Sequence, residues 1–92
     1  MSVAEIIQRK IRESLSPTIL EVKDESALHA GHAGAREGGE SHFRIRVVAE
    51  QFEGLNPVAR QRLINEILRE ELAGPIHALA MKTQTPAEAN NN

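Results

Sequence analysis

One stretch decides the fold of this chain: His42-Phe43-Arg44-Ile45-Arg46-Val47-Val48-Ala49. Its apolar residues alternate with the polar residues His42, Arg44 and Arg46. An alternation of period two indicates a strand that has one buried face and one solvent-facing face, and here the second face is basic. The segments on both sides of this stretch are also predicted to be strands, so it organises a sheet.

Two elements precede this strand. Ser2 and Glu5 have the spacing of a capping box, which satisfies free N–H groups at the start of a helix. An apolar stripe with helical spacing follows, and Ser16-Pro17 ends the helix. Residues 18–24 alternate in polarity and predict a strand that pairs antiparallel with residues 42–49.

Two further elements follow it. Asn56-Pro57 combines an N-cap residue with proline at the first helical position, so a helix begins here. Its apolar stripe runs to Leu72, and Gly74-Pro75 ends it. Residues 76–83 predict a third strand, and the strand–helix–strand connection places that strand parallel to residues 42–49. Residues 86–89 predict a short final helical turn.

The order helix, strand, strand, helix, strand predicts an α+β fold. We expect two layers, with a three-stranded mixed sheet covered on one face by the helices. Residues 1–89 are expected to form a single domain, and residues 90–92 a disordered tail. The chain has 92 residues and only 2% aromatic residues, so aliphatic side chains must fill a modest core.

Composition excludes several classes of function. There is no cysteine, which excludes a disulfide framework. No segment has the roughly 20 apolar residues of a membrane span, and the N-terminus does not resemble a secretory signal, so a soluble cytoplasmic protein is expected. No nucleophile, base and orienting group can be named together, so the chain is not expected to be an enzyme.

The candidate metal ligands are histidines. His77 stands at the start of the third predicted strand, while His29 and His32 lie in a long glycine-rich loop over residues 25–41. His77 is either a half-buried residue hydrogen bonded to backbone or a ligand that the loop can approach. His42 is interpreted as structural. A self-contained zinc site is not expected, because the chain offers no thiolate.

Arginines form the candidate nucleic-acid surface. Arg44 and Arg46 lie on one strand face, and Arg60 and Arg62 lie early in the second helix. They form either a solvated face or a contact surface for phosphates or an acidic partner. The net charge of −2 limits any nucleic-acid surface to a local patch.

Several pieces of the chain, in their order and spacing, resemble the BolA family. The resemblance runs from about Thr18 to Ala89, and the residue 25–41 segment is similar to the loop of long-loop members of the family. The pieces that carry it are Gly39-Glu40-Ser41-His42-Phe43-Arg44, Phe52-Glu53-Gly54-Leu55, Arg60-Gln61-Arg62-Leu63-Ile64-Asn65, Ile76-His77-Ala78-Leu79-Ala80 and Thr83-Gln84-Thr85-Pro86-Ala87-Glu88.

The resemblance implies a class II KH-like fold and a partner, a monothiol glutaredoxin of the CGFS type. In that family the two proteins can share a [2Fe-2S] cluster, with glutaredoxin cysteine and glutathione on one iron. The resemblance makes His77 a ligand of the other iron, together with His29 or His32 from the loop. No cluster is expected on the isolated protein, which should be a monomer or a weak homodimer.

Two functions are therefore expected for this chain. The first is an adaptor in iron–sulfur cluster trafficking or in iron or redox regulation. The alternative, a role also attributed to the family, is a DNA-binding transcriptional regulator that uses Arg44, Arg46, Arg60 and Arg62. Because imidazoles bind metals only when deprotonated, cluster affinity should weaken as the pH falls below neutrality.

Overall fold

The computed structural model describes residues 2–25 and 41–90 of the chain. The predicted loop ligands His29 and His32 lie outside the described residues. In chain order the elements are α1 (Val3–Leu15), β1 (Ile19–Asp24), β2 (His42–Val48), a short 3₁₀ helix (Glu50–Phe52), α2 (Pro57–Ile67), α3 (Arg69–Ala73), β3 (Ala78–Gln84) and α4 (Pro86–Asn90).

The three strands form one mixed sheet in the order β1-β2-β3. β1 runs antiparallel to β2, and β3 runs parallel to it, as the alternation and the crossover predicted. Val22, Ile45 and Met81 are in register across the sheet, so apolar residues of all three strands share one face. The predicted α+β class with a three-stranded mixed sheet is confirmed.

The core lies between this apolar sheet face and the helices. β2 contributes Phe43, Ile45 and Val47, each at most 2% exposed. The helices contribute Ile7 and Ile11 from α1 and further aliphatic residues from α2. The opposite face of β2 carries His42, Arg44 and Arg46, as the period of two requires.

Both ends of α1 follow from local chemistry. The Ser2 hydroxyl accepts a hydrogen bond from the Glu5 N–H at 3.1 Å, so the predicted N-cap is confirmed. Ser16 ends the helix in the left-handed region, with φ of 44°, and its N–H donates to the Arg12 carbonyl.

The second helical region differs from the prediction of a single helix up to Leu72. The helix is interrupted at Leu68, whose φ of −102° and ψ of 20° leave the α region, and α3 begins at Arg69. The break keeps Leu68 fully buried and brings Glu71 of α3 to Lys10 of α1, with 2.8 Å between Oε2 and Nζ. The sequence has no glycine or proline at this point, so the interruption is not marked in the local pattern.

The third strand begins two residues later than predicted. Ile76 is buried in the core, and its N–H donates to the Glu71 carbonyl rather than to a strand. β3 starts at Ala78, so His77 precedes the strand instead of belonging to it. Among the described residues, no helix is long and apolar enough to cross a membrane. The cytoplasmic location stays a prediction.

Hydrogen bonds among Thr85, Glu88 and Arg60 hold α4 in place, and we call these three residues the latch. The Glu88 N–H donates to Thr85 Oγ1 at 3.1 Å, and the Thr85 N–H donates to Glu88 Oε1 at 2.8 Å, which is a reciprocal capping box. The Arg60 guanidinium also donates to both Glu88 oxygens, at 2.7 and 3.3 Å. The helical turn predicted for residues 86–89 is confirmed, and it extends to Asn90, one residue into the predicted tail.

This latch predicts an acid-sensitive contribution to stability. The hydrogen bond from Arg60, followed by that from the Thr85 N–H, holds the pKa of Glu88 below its ordinary value. The contribution is therefore present above the unfolded-state pKa, about 4.3 for Glu, and is lost as the pH falls through the lower folded-state pKa. Urea unfolding at a series of pH values should show a steeper acid loss for the wild type than for Glu88→Gln. Parallel pH profiles of the two proteins would contradict this role.

Candidate functional site

His77 presents an exposed ring from a backbone that is held in place. Its N–H donates to the Ser41 carbonyl at 2.7 Å, and the N–H of Ala78 donates to the same oxygen at 3.1 Å. Ile76, immediately before it, is only 4% exposed. The interpretation of His77 as a half-buried histidine hydrogen bonded to backbone is wrong for its side chain. The hydrogen bond to Ser41 comes from the main-chain N–H of His77, and the residue is exposed.

A buried serine orients the neighbouring histidine. Ser41 is fully buried, and its Oγ lies 3.0 Å from Nδ1 of the half-buried His42. The carbonyl of His42 accepts the N–H of Glu25 at 2.7 Å, which joins the two ends of the segment between β1 and β2. The Ser41 hydroxyl therefore helps to fix the His42 ring through Nδ1.

The structure brings His42 and His77 together. Their ring centroids are 5.5 Å apart, and the ring planes are inclined at 53°. The parallel register explains this, because His42 is paired with Ala78 and His77 comes just before that position. Sequence reasoning missed this pair, since His42 was interpreted as structural. The only available signal was the expected parallel pairing of the two strands, which does not specify the register.

The described residues offer few other metal donors. Within residues 2–25 and 41–90, no group of three or more His, Asp or Glu side chains is arranged to hold a metal ion. Glu25 and Ser41, which flank residues 26–40, both contact His42. The chain therefore enters and leaves the segment of His29 and His32 beside the histidine pair.

The open face of the sheet is basic. Arg44 and Arg46 lie on it with side chains 62% and 31% exposed. Lys23 is paired with Arg44 across the sheet, and Lys82 is paired with Arg46. We call Lys23, Arg44, Arg46 and Lys82 the basic sheet face. Sequence reasoning named only the two arginines, although both lysines alternate with apolar residues in their own strands.

Acidic and amide groups pair with both arginines. Arg44 Nε lies 3.1 Å from Glu25 Oε2, and an Arg46 guanidinium nitrogen lies 3.8 Å from Glu21 Oε1. Arg46 Nε also donates to the Gln84 side chain at 3.2 Å. In the described part of the chain no ion pair involves either lysine. A depression of about 480 Å³ adjoins these strands and is lined in part by all four basic residues.

Arg60 does not belong to a basic surface, which corrects the prediction. It is 8% exposed, and its guanidinium donates to the carbonyls of Leu55 at 2.9 Å and Thr83 at 3.4 Å as well as to Glu88. Arg62 is exposed, but α2 packs on the face of the sheet opposite to Arg44 and Arg46. The four predicted arginines therefore do not form one surface.

Comparisons with known proteins agree with this architecture. The family model described as BolA-like protein matches residues 11–88. BolA-like protein 1 of Mus musculus is 49% identical over 86 residues, which cover 94% of this chain and 60% of the mouse protein. The chain thus spans about 60% of the length of that relative.

A bacterial relative and a solved structure extend the comparison. The DNA-binding transcriptional regulator BolA of Vibrio cholerae is 44% identical over 86 residues, covering 94% of this chain and 77% of that protein. The structure of the BolA domain of SufE1 from Arabidopsis thaliana superposes with a TM-score of 0.85 at 42% identity, over 96% of each chain. This chain belongs to the BolA-like protein family.

Proposed function

We propose that this chain is an adaptor that binds a monothiol glutaredoxin and contributes imidazole ligands to a [2Fe-2S] cluster shared with that partner. The exposed ring of His77 carries the proposal. Its backbone is held by two hydrogen bonds to Ser41, so the ring can meet a partner's cluster without the chain first having to become ordered.

The donor chemistry fits a shared cluster rather than one bound by this chain alone. Imidazole replaces thiolate on one iron of Rieske-type clusters, and this chain has histidines but no cysteine. The proposal therefore takes the sulfur ligands from glutaredoxin cysteine and glutathione. His77 supplies one nitrogen, and His29 or His32, outside the described residues, supplies a second. No catalytic reaction is assigned to the chain, whose role is to dock and to hold the cluster.

The test is anaerobic reconstitution with a CGFS-type monothiol glutaredoxin, glutathione, iron and sulfide, followed by visible circular dichroism. The wild type should give a spectrum that differs from that of the glutaredoxin alone. His77→Ala should lose that spectrum but still co-elute with the glutaredoxin in size-exclusion chromatography, because the substitution removes a ligand and not the docking surface. An unchanged spectrum would refute the role of His77, and absence of any complex would refute the adaptor function.

A second candidate function is DNA binding through the basic sheet face. Four basic side chains lie on the face of the sheet opposite the helices, and a relative that is 44% identical is named a DNA-binding transcriptional regulator. Lys23 stands directly opposite Arg44, and Arg46 stands directly opposite Lys82. Glu25 and Glu21 offset the charges of the two arginines, whereas Lys23 and Lys82 have no acidic partner among the described residues, and contact with a polyanion would offset their repulsion of the arginines.

A further inference from the structure

We propose that the outer edge of β3 is a docking site for an extended acidic segment of a partner protein, which joins the sheet there as an additional strand. β3 lies at one edge because the sheet order is β1-β2-β3, and no strand among the described residues pairs with its outer side. An edge strand presents a row of backbone N–H and C=O groups, and an added strand recognises them through main-chain hydrogen bonds. The site needs neither a glutaredoxin nor any histidine.

The ladder between β2 and β3 determines which backbone groups of β3 point outward. The Ala78 N–H donates to the Ser41 carbonyl at 3.1 Å, and the Gln84 carbonyl accepts from the Ala49 N–H at 3.0 Å. Every second residue from Ala78 to Gln84 therefore directs its backbone groups towards β2, because these directions alternate along a strand. The residues between them direct their backbone groups to the outer edge, and they are Leu79, Met81 and Thr83.

The two edges of the sheet differ in how strongly they discourage an added strand. Charged side chains protect an edge strand from pairing, and the six residues of β1 end in Glu21-Val22-Lys23-Asp24. β3 carries a single charged residue, Lys82, among its seven. The guanidinium of Arg60 donates to the outward carbonyl of Thr83 at 3.4 Å, so the edge that remains for a partner is that of Leu79 and Met81.

Side chains on the two faces of β3 define the chemistry of the segment. Leu79 and Met81 are half-buried and pack against the core, so they leave an apolar border on that face. On the opposite face Lys82 is exposed and stands beside Arg46 of β2. An added strand lies about 4.8 Å beyond β3, so its alternate side chains contact either the apolar border or Lys82. Apolar residues that alternate with Asp or Glu satisfy both faces.

Charge favours an acidic segment over a second copy of this chain. β3 contains no acidic residue, so pairing two β3 edges would bring two copies of Lys82 and of Arg46 together on one face. Like charges at neighbouring positions destabilise a sheet, whereas Asp or Glu beside Lys82 forms a cross-strand pair of opposite charge. Within residues 2–25 and 41–90, no ion pair involves Lys82, so its charge is available to a partner.

The probe is the end-capped peptide Val-Glu-Val-Glu-Val-Glu-Val, which is as long as β3 and carries a fluorophore for anisotropy titration with the full-length protein. Two N-methylated forms of the peptide are the matched controls. In an antiparallel pair, valines on the core face exchange hydrogen bonds with Leu79 and Met81, whereas the glutamate N–H groups point to solvent.

Methylation of the valine nitrogens should weaken binding more than about 10-fold, because it removes several hydrogen bonds at once. Methylation of the glutamate nitrogens should change the affinity less than about 2-fold, because those nitrogens donate no hydrogen bond to β3. Equal affinities of the two methylated forms would overturn the proposal, because main-chain pairing requires them to differ.

Charge variants of the protein test the position of the peptide on the sheet. Lys82→Glu should weaken binding about 10-fold, because attraction to glutamate becomes repulsion. Lys23→Glu makes the same charge change on β1, about 14 Å from the added strand, where screening at physiological salt should keep its effect below about 2-fold. This asymmetry separates peptide docking from duplex DNA binding, to which both lysines contribute. Equal effects of the two variants would overturn the site, since they would reflect net charge alone.

Hydrogen exchange measured by nuclear magnetic resonance locates the added strand. At a peptide concentration about nine times Kd, exchange of the Leu79 and Met81 amides should slow about 10-fold, because only the free protein exposes them. Slowing confined to β1 would place the peptide on the other edge and overturn the site. Slow exchange of the same two amides without peptide, lost on dilution, would show that a second copy occupies the edge, which also overturns the proposal.

Discussion

Replacing Arg60 with glutamine is expected to lower the free energy of unfolding by about 2–3 kcal/mol, since charge-assisted hydrogen bonds each contribute about 1.5–3 kcal/mol. The guanidinium is nearly buried, and it holds the Leu55 carbonyl and the Glu88 carboxylate at 2.9 and 2.7 Å. It also lies over the Phe52 ring, 5.8 Å from the ring centroid. Glutamine cannot reach these groups together, and the carbonyls would lose their donor.

Arg62→Gln is the matched control on the same helix. Arg62 is exposed, so the same substitution should change stability by less than about 0.5 kcal/mol. Urea unfolding and thermal melting measure both, and in a domain of this size 1 kcal/mol shifts the Tm by about 4–8 °C. Equal effects of the two substitutions would mean that the Arg60 contacts do not contribute to stability.

The contrast between Arg60 and Arg62 shows where sequence reasoning fails. Two arginines in the first turns of a helix look alike in the sequence, and charge alone predicts that both are exposed. Arg60 is buried because its guanidinium pairs with Glu88 and lies over the ring of Phe52. Glu88 is 28 residues away in the sequence. Neither contact leaves a periodic signal in α2. Long-range polar contacts of this kind have to be observed.

The sheet, in contrast, was predictable because its sequence signal is local. Alternation in β2 is a local property, and burial of Phe43, Ile45 and Val47 follows directly from it. Turn and capping residues also predicted where the helices begin and end. For example, the side chains of Ser2 and Asn56 accept hydrogen bonds from the N–H groups of Glu5 and Ala59. The break at Leu68 was not predictable, because no glycine or proline marks it in the sequence.

Only one of the two histidines in the pair was predictable from the sequence. His77 could be identified because an imidazole at the start of an apolar strand is unusual and because the resemblance to the BolA family assigns it a role. His42 could not, because its closeness to His77 depends on the register of β2 and β3, which pairs His42 with Ala78. A slip of that register would move the two rings apart by several ångströms.

The two faces of the sheet differ in their chemistry. One face is filled by the core, and the other combines the histidine pair at the start of β2 with the basic sheet face along it. Arg44 lies next to both, since it is two residues from His42 and its Nε lies 3.1 Å from Oε2 of Glu25, the residue that follows β1. A partner docked at the histidines would therefore lie close to the basic sheet face. If both proposed functions operate, docking of a glutaredoxin should compete with binding of DNA.

Neutralising the two lysines of the basic sheet face should test DNA binding most sharply. If Lys23 and Lys82 each contact a phosphate, Lys23→Gln/Lys82→Gln should lower the slope of log K against log[salt] by about 2 in magnitude. At about 50 mM salt the affinity for duplex DNA should then fall roughly 100-fold, because counterion release is largest at low salt. The arginines are left intact, so their contacts with Glu25, Glu21 and Gln84 persist.

Arg9→Gln/Arg12→Gln is the matched control, since it removes the same charge from exposed positions of α1, on the other side of the domain. Fluorescence anisotropy of a labelled duplex, titrated at several salt concentrations, should show the large loss only for the lysine variant. If both double variants weaken binding equally, the effect is one of net charge and the sheet face is not the interface. If the wild type binds no duplex even at low salt, where attraction between phosphates and lysines is strongest, the DNA-binding function is refuted for this chain.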